Sequence, residues 1–216
     1  MCAMWSLWQS RNDRRHDKTP IDPGAAMDRA LEACCQVWGS KQRDAGRAMK
    51  PNMHWRSPEE GSLKINVDGA YLQESNTGAT GAVLRDSNGI FMAASARWMD
   101  SLGSGLHAEA EAFRDGVRLI PQGTMEHILV ETDSQELALL WKNRRRNRSE
   151  IYAILEEVEE MASNFSSFKV IHTRRSANFA AHLCAQHATS LLDNFVWSLP
   201  PSFLQQCLQF DCNNVV

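Results

Sequence analysis

The chain has 216 residues, of which 43% are hydrophobic and 23% charged, and a formal net charge of −3. This composition fits one folded domain of ordinary size with extensions, and excludes a disordered chain. The 23 Lys and Arg against 26 Asp and Glu exclude nucleic-acid binding through bulk positive charge, so any polyanion site is local.

The first ~55 residues differ from the rest. "MWSLWQSRNDRRH" spaces Trp5 and Trp8 as one face of a short helix, and "TPIDPG" interrupts the chain. The stretch 25–49 has helical spacing, with Met27, Leu31, Cys34 or Cys35 and Trp38 on one stripe. "KPNMHWRSPEEGS" reads as a linker. The expected organisation is a helical extension and linker over 1–55, a domain over 56–190 and a tail over 191–216.

From Leu63 the period changes to two. "LKINVDGAYL" alternates Leu63, Ile65 and Val67 with Lys64, Asn66 and Asp68, which predicts a strand. "TGATGAVLRDSNGIFMAASARWM" predicts a hairpin turning at Ser87-Asn88-Gly89. A helix over about 105–120 follows, then a short apolar strand in "HILVETDS". "SQELALLWKN" and "SEIYAILEEVEEMASN" predict two helices, each opened by a Ser with acidic residues in its first turn. "SFKVIHTRR" predicts a fifth strand, and "SANFAAHLCAQHATSLLDNFVW" one long helix stopped by two prolines, with a short amphipathic tail beyond. The order βββαβααβα predicts an α/β fold with a mixed five-stranded sheet and helices on both faces.

Six cysteines occur, none in a C-x-x-C pair. They read as reduced thiols, which suits the nucleus or cytoplasm without choosing between them. No apolar run reaches the roughly 18 residues of a membrane span. The apolar stretch at the start is too short for a secretory signal, and its charges follow it instead of preceding it.

Three acids stand in unusual positions. Asp68 follows the apolar run of the first strand, and Asp133 ends the fourth. In "GLHAEAEAFRDG" the apolar stripe is Leu106, Ala110, Phe113, Val117 and Ile120. Glu109 lies at the edge of that stripe facing the sheet, whereas Glu111, about 200° further round, is expected to face solvent. Taken singly, each acid reads as a turn cap or an arginine partner. Converging from strand, helix and strand end, the three suit a hard cation such as Mg²⁺. The same stretch could also present His107 and Glu109 as a zinc deaminase does, but no cysteine stands between Cys35 and Cys184 to complete that site.

"INVDGA", "AEAEA", "VETDSQE" and "RRSANFAAHLCAQHA", in this order, resemble ribonuclease H type 1, and more narrowly its plant reverse-transcriptase-like subfamily related to non-LTR retrotransposons. The resemblance spans about Leu63 to Ala188, and the flanks "WSLWQSRND", "WRSPEEGSLKINVDGA" and "VWSLPPSFLQQCLQFD" share it. It implies the ribonuclease H-like fold and an endonuclease that hydrolyses the RNA strand of RNA–DNA hybrids by a two-metal mechanism. Asp68, Glu109 and Asp133 would hold Mg²⁺, with Mn²⁺ as a substitute. Gly69, Ser134, Gln135 and Asn178 would contact the nucleic acid, with 2′-hydroxyls distinguishing RNA from DNA. The general family's fourth acid lies four residues after Asn178; here that residue is His182, which can bind metal or carry a proton but adds no negative charge at neutral pH. His182 reads either as a catalytic-site residue or as a helix-surface histidine.

"WKNRRRNRS" gathers Lys142, Arg144, Arg145, Arg146 and Arg148 between two helices. It reads either as a phosphate-contacting patch or as a solvated loop balancing the acidic "LEEVEEM". Arg174 and Arg175 form a second basic candidate, and Trp98 and Trp141 read as packing residues. The expected partner is an RNA–DNA hybrid bound by a monomer without a small-molecule cofactor or a membrane. The rival function is a domesticated retroelement domain, weakly active or inactive, that binds nucleic acid or protein.

Overall fold

Seven consecutive buried residues, Ser62 to Asp68, put strand β1 (Ser62–Leu72) at the centre of a sheet covered on both faces. The computed structural model describes residues 54–124, 126–144 and 149–213. The N-terminal 53 residues, with the expected Trp5/Trp8 and Met27–Trp38 helices, lie outside these, as do Arg145 and Arg146. β1 pairs antiparallel with β2 (Thr77–Arg85), which pairs antiparallel with β3 (Phe91–Met99). Helix α1 (Gly105–Arg118) crosses over to β4 (His127–Thr132), which lies parallel to β1. Helices α2 (Gln135–Lys142) and α3 (Tyr152–Ala162) lead to β5 (Ser167–His172), parallel to β4. Helix α4 (Phe179–Leu191), strand β6 (Phe195–Trp197) and helix α5 (Ser202–Asn213) complete the described chain.

The sheet is mixed and has six strands in the order β5-β4-β1-β2-β3-β6. The sixth strand corrects the expected count and the expected length of the last long helix. α4 ends at Leu192, whose left-handed φ of 55° turns the chain out of the helix. Asn194 then accepts from the Trp98 amide at 2.8 Å, and Phe195–Trp197 pairs with Ala94–Ala96. An apolar run without a glycine concealed this stop. The hairpin turn matches expectation: Gly89 has φ 79°, and the Asp86 carboxylate accepts from the Asn88 and Ile90 amides. Ser134 caps α2 through the Leu137 amide as expected, but α3 opens at Tyr152 without a side-chain cap, three residues after Ser149.

The apolar face of β1 builds the main core. Ile65 and Val67 pack with Phe113, Val117, Val130 and Leu155, and Trp141 meets Phe113 edge-on. Gly116 lets α1 pack closely on this face: a methyl there would lie 2.6 Å from the Val67 side chain. On the opposite face, α4 crosses β2 at Gly81, where a methyl would lie 2.2 Å from the Ala181 carbonyl. That second face is polar beneath β1, with Lys64, Asn66 and Arg85 buried. Cys184 and Cys207 are buried, and no helix among the described residues is long and apolar enough to cross a membrane.

Candidate active site

Parallel pairing fixes the first two acids. Val67 of β1 stands opposite Thr132 of β4, so Asp68 and Asp133 follow side by side at the carboxyl end of β4, with β1 running on to Leu72. Ligands of open α/β sheets bind at this end. The third acid arrives through a close approach. The first turn of α1 passes over Gly69, where a methyl would lie only 2.4 Å from the Glu109 amide nitrogen. Carboxylate oxygens of Asp68, Glu109 and Asp133 consequently lie within 4.8 Å of one another. They line an open cleft of about 430 Å³ together with Gly69, Tyr71, Ser134, Glu136 and Arg175.

Such crowding is costly without a cation. Burial first, then repulsion from Asp68 and Asp133, pushes the Glu109 carboxyl up to about 9. The Asp133 carboxyl is also raised, by burial and then by Asp68. The all-oxygen donor set suits a hard divalent ion. This cluster fits a metal: its negative charge is confined by geometry, and metal binding would relieve the repulsion that otherwise retains a proton.

His182 stands beside the cluster. Its Nδ1 lies 2.9 Å from Asp68 Oδ2, and the Arg175 guanidinium lies 3.1 Å from both ring nitrogens. Because the carboxylate only accepts and the guanidinium only donates, the consistent arrangement has Nδ1–H donating to Asp68 and Nε2 accepting from Arg175. His182 is therefore engaged with Asp68 from the side and does not extend the carboxylate cluster.

Several expected contacts take different positions. Asn178 is fully buried: its amide donates to the Val67 carbonyl at 2.8 Å and to Asp133 at 3.3 Å. That burial corrects its assignment as a nucleic-acid contact, since it has no surface to offer. Ser134 lies in the cleft wall with its hydroxyl capping α2, and Gln135 is exposed at the start of that helix. Arg144 lies 4.2 Å over the Trp141 ring, donates to the Trp141 carbonyl and pairs with Glu159 at 3.1 Å. This matches the charge-balancing alternative, because Glu159 belongs to "LEEVEEM". Glu111 is also corrected. It is 5% exposed and held by Arg97 of β3 and by Arg114, with His107 Nε2 at 3.7 Å. Helical phase found the apolar stripe but not the reach of Arg97 across the sheet.

Asn66 was missed by sequence reasoning. Its Oδ1 accepts from Trp55 Nε1 and Arg85 Nη2, both at 2.9 Å, and its Nδ2 donates to Glu131 at 3.0 Å and Asn178 at 3.1 Å. The available signal was a polar residue alternating within a strand whose neighbours are all buried.

The profile of the reverse transcriptase-like family matches residues 66–188, more than half of the chain. The chain belongs to the reverse transcriptase-like family. The fold of this family member is that of ribonuclease H type 1. The ribonuclease H1 of the archaeon Halobacterium salinarum superposes with a TM-score of 0.53 at 20% identity, covering 60% of this chain and 98% of its own. An N-terminal ribonuclease H domain from Mycobacterium tuberculosis gives 0.55 at 19% identity, covering 61% and 96%. LC11-RNase H1, isolated from compost by a metagenomic approach and solved in complex with RNA/DNA hybrid, gives 0.51 at 15%, covering 60% and 98%. No curated protein matches the chain in sequence.

Proposed function

We propose that this reverse transcriptase-like domain is a divalent-metal-dependent endonuclease that hydrolyses the RNA strand of RNA–DNA hybrids. One observation carries the reading: Asp68, Glu109 and Asp133 offer carboxylate oxygens within 4.8 Å of one another. The placement of Asp68 and Asp133 side by side at the carboxyl end of β4, with Glu109 in the same open cleft, supports it. The substrate class rests on likeness, since LC11-RNase H1 was solved with an RNA/DNA hybrid.

Asp68, Glu109 and Asp133 would hold the metal, with Mg²⁺ the natural ion for these ligands and Mn²⁺ a substitute. Bound there, it would lower the pKa of the attacking water and neutralise charge on the phosphate and leaving oxygen. His182 orients Asp68 through its Nδ1–H, and Arg175 holds the ring from the other side. Ser134 lines the cleft and Gln135 follows it at the start of α2, and contacts from them to 2′-hydroxyls would select RNA.

His182 also favours the second reading, a weakly active or inactive domain that binds without turnover, because it adds no negative charge where a fourth acid would. Both are tested by hybrid cleavage in Mg²⁺ and in Mn²⁺. The wild type is expected to cut, Asp68→Asn and Glu109→Gln to fall to background, and His182→Asp to reach half-maximal rate at lower Mg²⁺. Wild-type cleavage no greater than that of the two carboxylate variants would overturn the nuclease reading. Activity appearing only in His182→Asp would establish the second.

A further inference from the structure

Beneath β1, on the face away from the main core, polar side chains form a continuous buried chain. Asp211 of α5 pairs with Arg85 Nη1 at 2.7 Å, and Arg85 is fully buried with its guanidinium 3.7 Å from the Trp55 ring centre. Arg85 Nη2 donates to Asn66 Oδ1, Asn66 Nδ2 donates to Asn178 Oδ1, and Asn178 Nδ2 donates to Asp133 Oδ1. Asp211 and Trp55 both lie outside the 66–188 segment that matches the family profile.

This chain has a direction. An amide can point either way unless its partners decide. Arg and Trp have only donors to offer, so Arg85 and Trp55 together fix the carbonyl end of Asn66 toward themselves. The amino end of Asn66 must then face Asn178, which turns the carbonyl end of Asn178 inward. Only in that orientation does the amino group of Asn178 reach both the Val67 carbonyl and Asp133. Asp211 is what makes the buried Arg85 tolerable, because removing one member of a buried pair leaves the other uncompensated.

We propose that Asn66 and Asn178 form a positioning relay for the Asp133 carboxylate, and that α5 sets it through Asp211 and Arg85. The segment after α4 is then part of the machinery of the site. The inference rests on Asp133 being a metal ligand, as in the function proposed above. Partners behind a metal ligand fix its orientation, and their loss typically weakens metal binding at least tenfold.

The test measures Mn²⁺ affinity of the full chain by calorimetry at 25 °C, with melting temperature and the amide NMR spectrum recorded for each variant. Asp211→Asn and Asn178→Ser are expected to keep the folded spectrum and bind Mn²⁺ roughly tenfold more weakly. Leu204→Ala opens a cavity under the same helix, where Leu204 is fully buried. It is expected to lower the melting temperature while leaving the affinity unchanged. If Asp211→Asn does not fold, Arg85→Lys takes its place, since it keeps a charge opposite Asp211 and removes the arm on Asn66. Wild-type affinity in the relay variants, or an equal loss in Leu204→Ala, would overturn the relay. Cleavage by wild type with unchanged relay variants sinks the relay alone. Metal binding without cleavage sinks the nuclease reading alone and leaves the affinities to decide the relay, while a wild type that binds no metal overturns both.

Discussion

Glu109 is a carboxylate whose ordinary value is 4.5 and whose carboxyl in the folded domain holds its proton up to about 9. A group that binds protons more tightly when folded adds stability below its unfolded value and loses it as pH rises through the folded one. The metal-free domain should therefore weaken steadily between about pH 4.5 and pH 9. At pH 7, roughly 2.5 units above the unfolded value, the cost is about 3 kcal/mol. Glu109→Gln removes the titration, so in EDTA at pH 7 it should melt higher than wild type, with a flatter pH dependence. Adding Mg²⁺ should raise the wild-type melting temperature and leave the variant nearly unchanged, as thermal unfolding would show. A variant that melts lower than wild type in EDTA would mean that the cluster is not under charge strain. At this scale the sequence was informative wherever an acid interrupted a regular pattern, as Asp68 does after the apolar run of β1 and Asp133 just beyond β4. It was silent wherever the partner came from a distant element, as Arg97 does for Glu111.

Elements meet at this site because glycines permit close crossings. A strand–helix contact at Gly69 brings Glu109 to Asp68, and the parallel register of β1 and β4 brings Asp133 alongside. Gly69→Ala sets a methyl against the Glu109 backbone at 2.4 Å, with the Ala108 carbonyl carbon at 2.5 Å. Backbone cannot move aside as a side chain can, so α1 must shift. The expected cost is about 1–3 kcal/mol by denaturant unfolding, and Mg²⁺-induced stabilisation should shrink as Glu109 moves with the helix. Unchanged metal stabilisation would show that the first turn of α1 does not set the carboxylate spacing. The order of elements through α4 was legible because the alternation of β1, the Asn-Gly turn of the hairpin, the short apolar run of β4 and the 3.6 period of the helices follow one another cleanly. The sixth strand was not, since Phe195–Trp197 pairs for only three residues and continues an apolar run. The burial of the polar face of β1 was likewise hidden: alternation puts Lys64, Asn66 and Asp68 on one face but does not announce that Trp55 covers Lys64 and Asn66 or that α5 reaches Arg85 beside them.

Charge over the whole molecule sets how a hybrid is met. With a net charge of −3, the chain offers no general attraction to a polyanion, and the cleft itself is acidic. Attraction must come from local cations, and the basic run between α2 and α3 divides into two kinds. Arg144 is committed to Trp141 and Glu159, so Arg144→Ala should lower stability by about 1 kcal/mol and barely alter hybrid affinity. Arg145 and Arg146 retain the role of phosphate contacts as a proposal. Replacing both with Ala should weaken hybrid binding equally for all sequences. Each phosphate contact contributes about 0.9 to the slope of log affinity against log salt, so the double variant should lower that slope by roughly 2. Fluorescence anisotropy across a salt series, with Ca²⁺ present to suppress cleavage, measures both quantities. A slope unchanged in the double variant, or lowered by Arg144→Ala instead, would move the phosphate path away from this run. The exposed Arg175 at the cleft wall would then be the next cation to replace, since it is the basic residue lining the cleft beside the carboxylates.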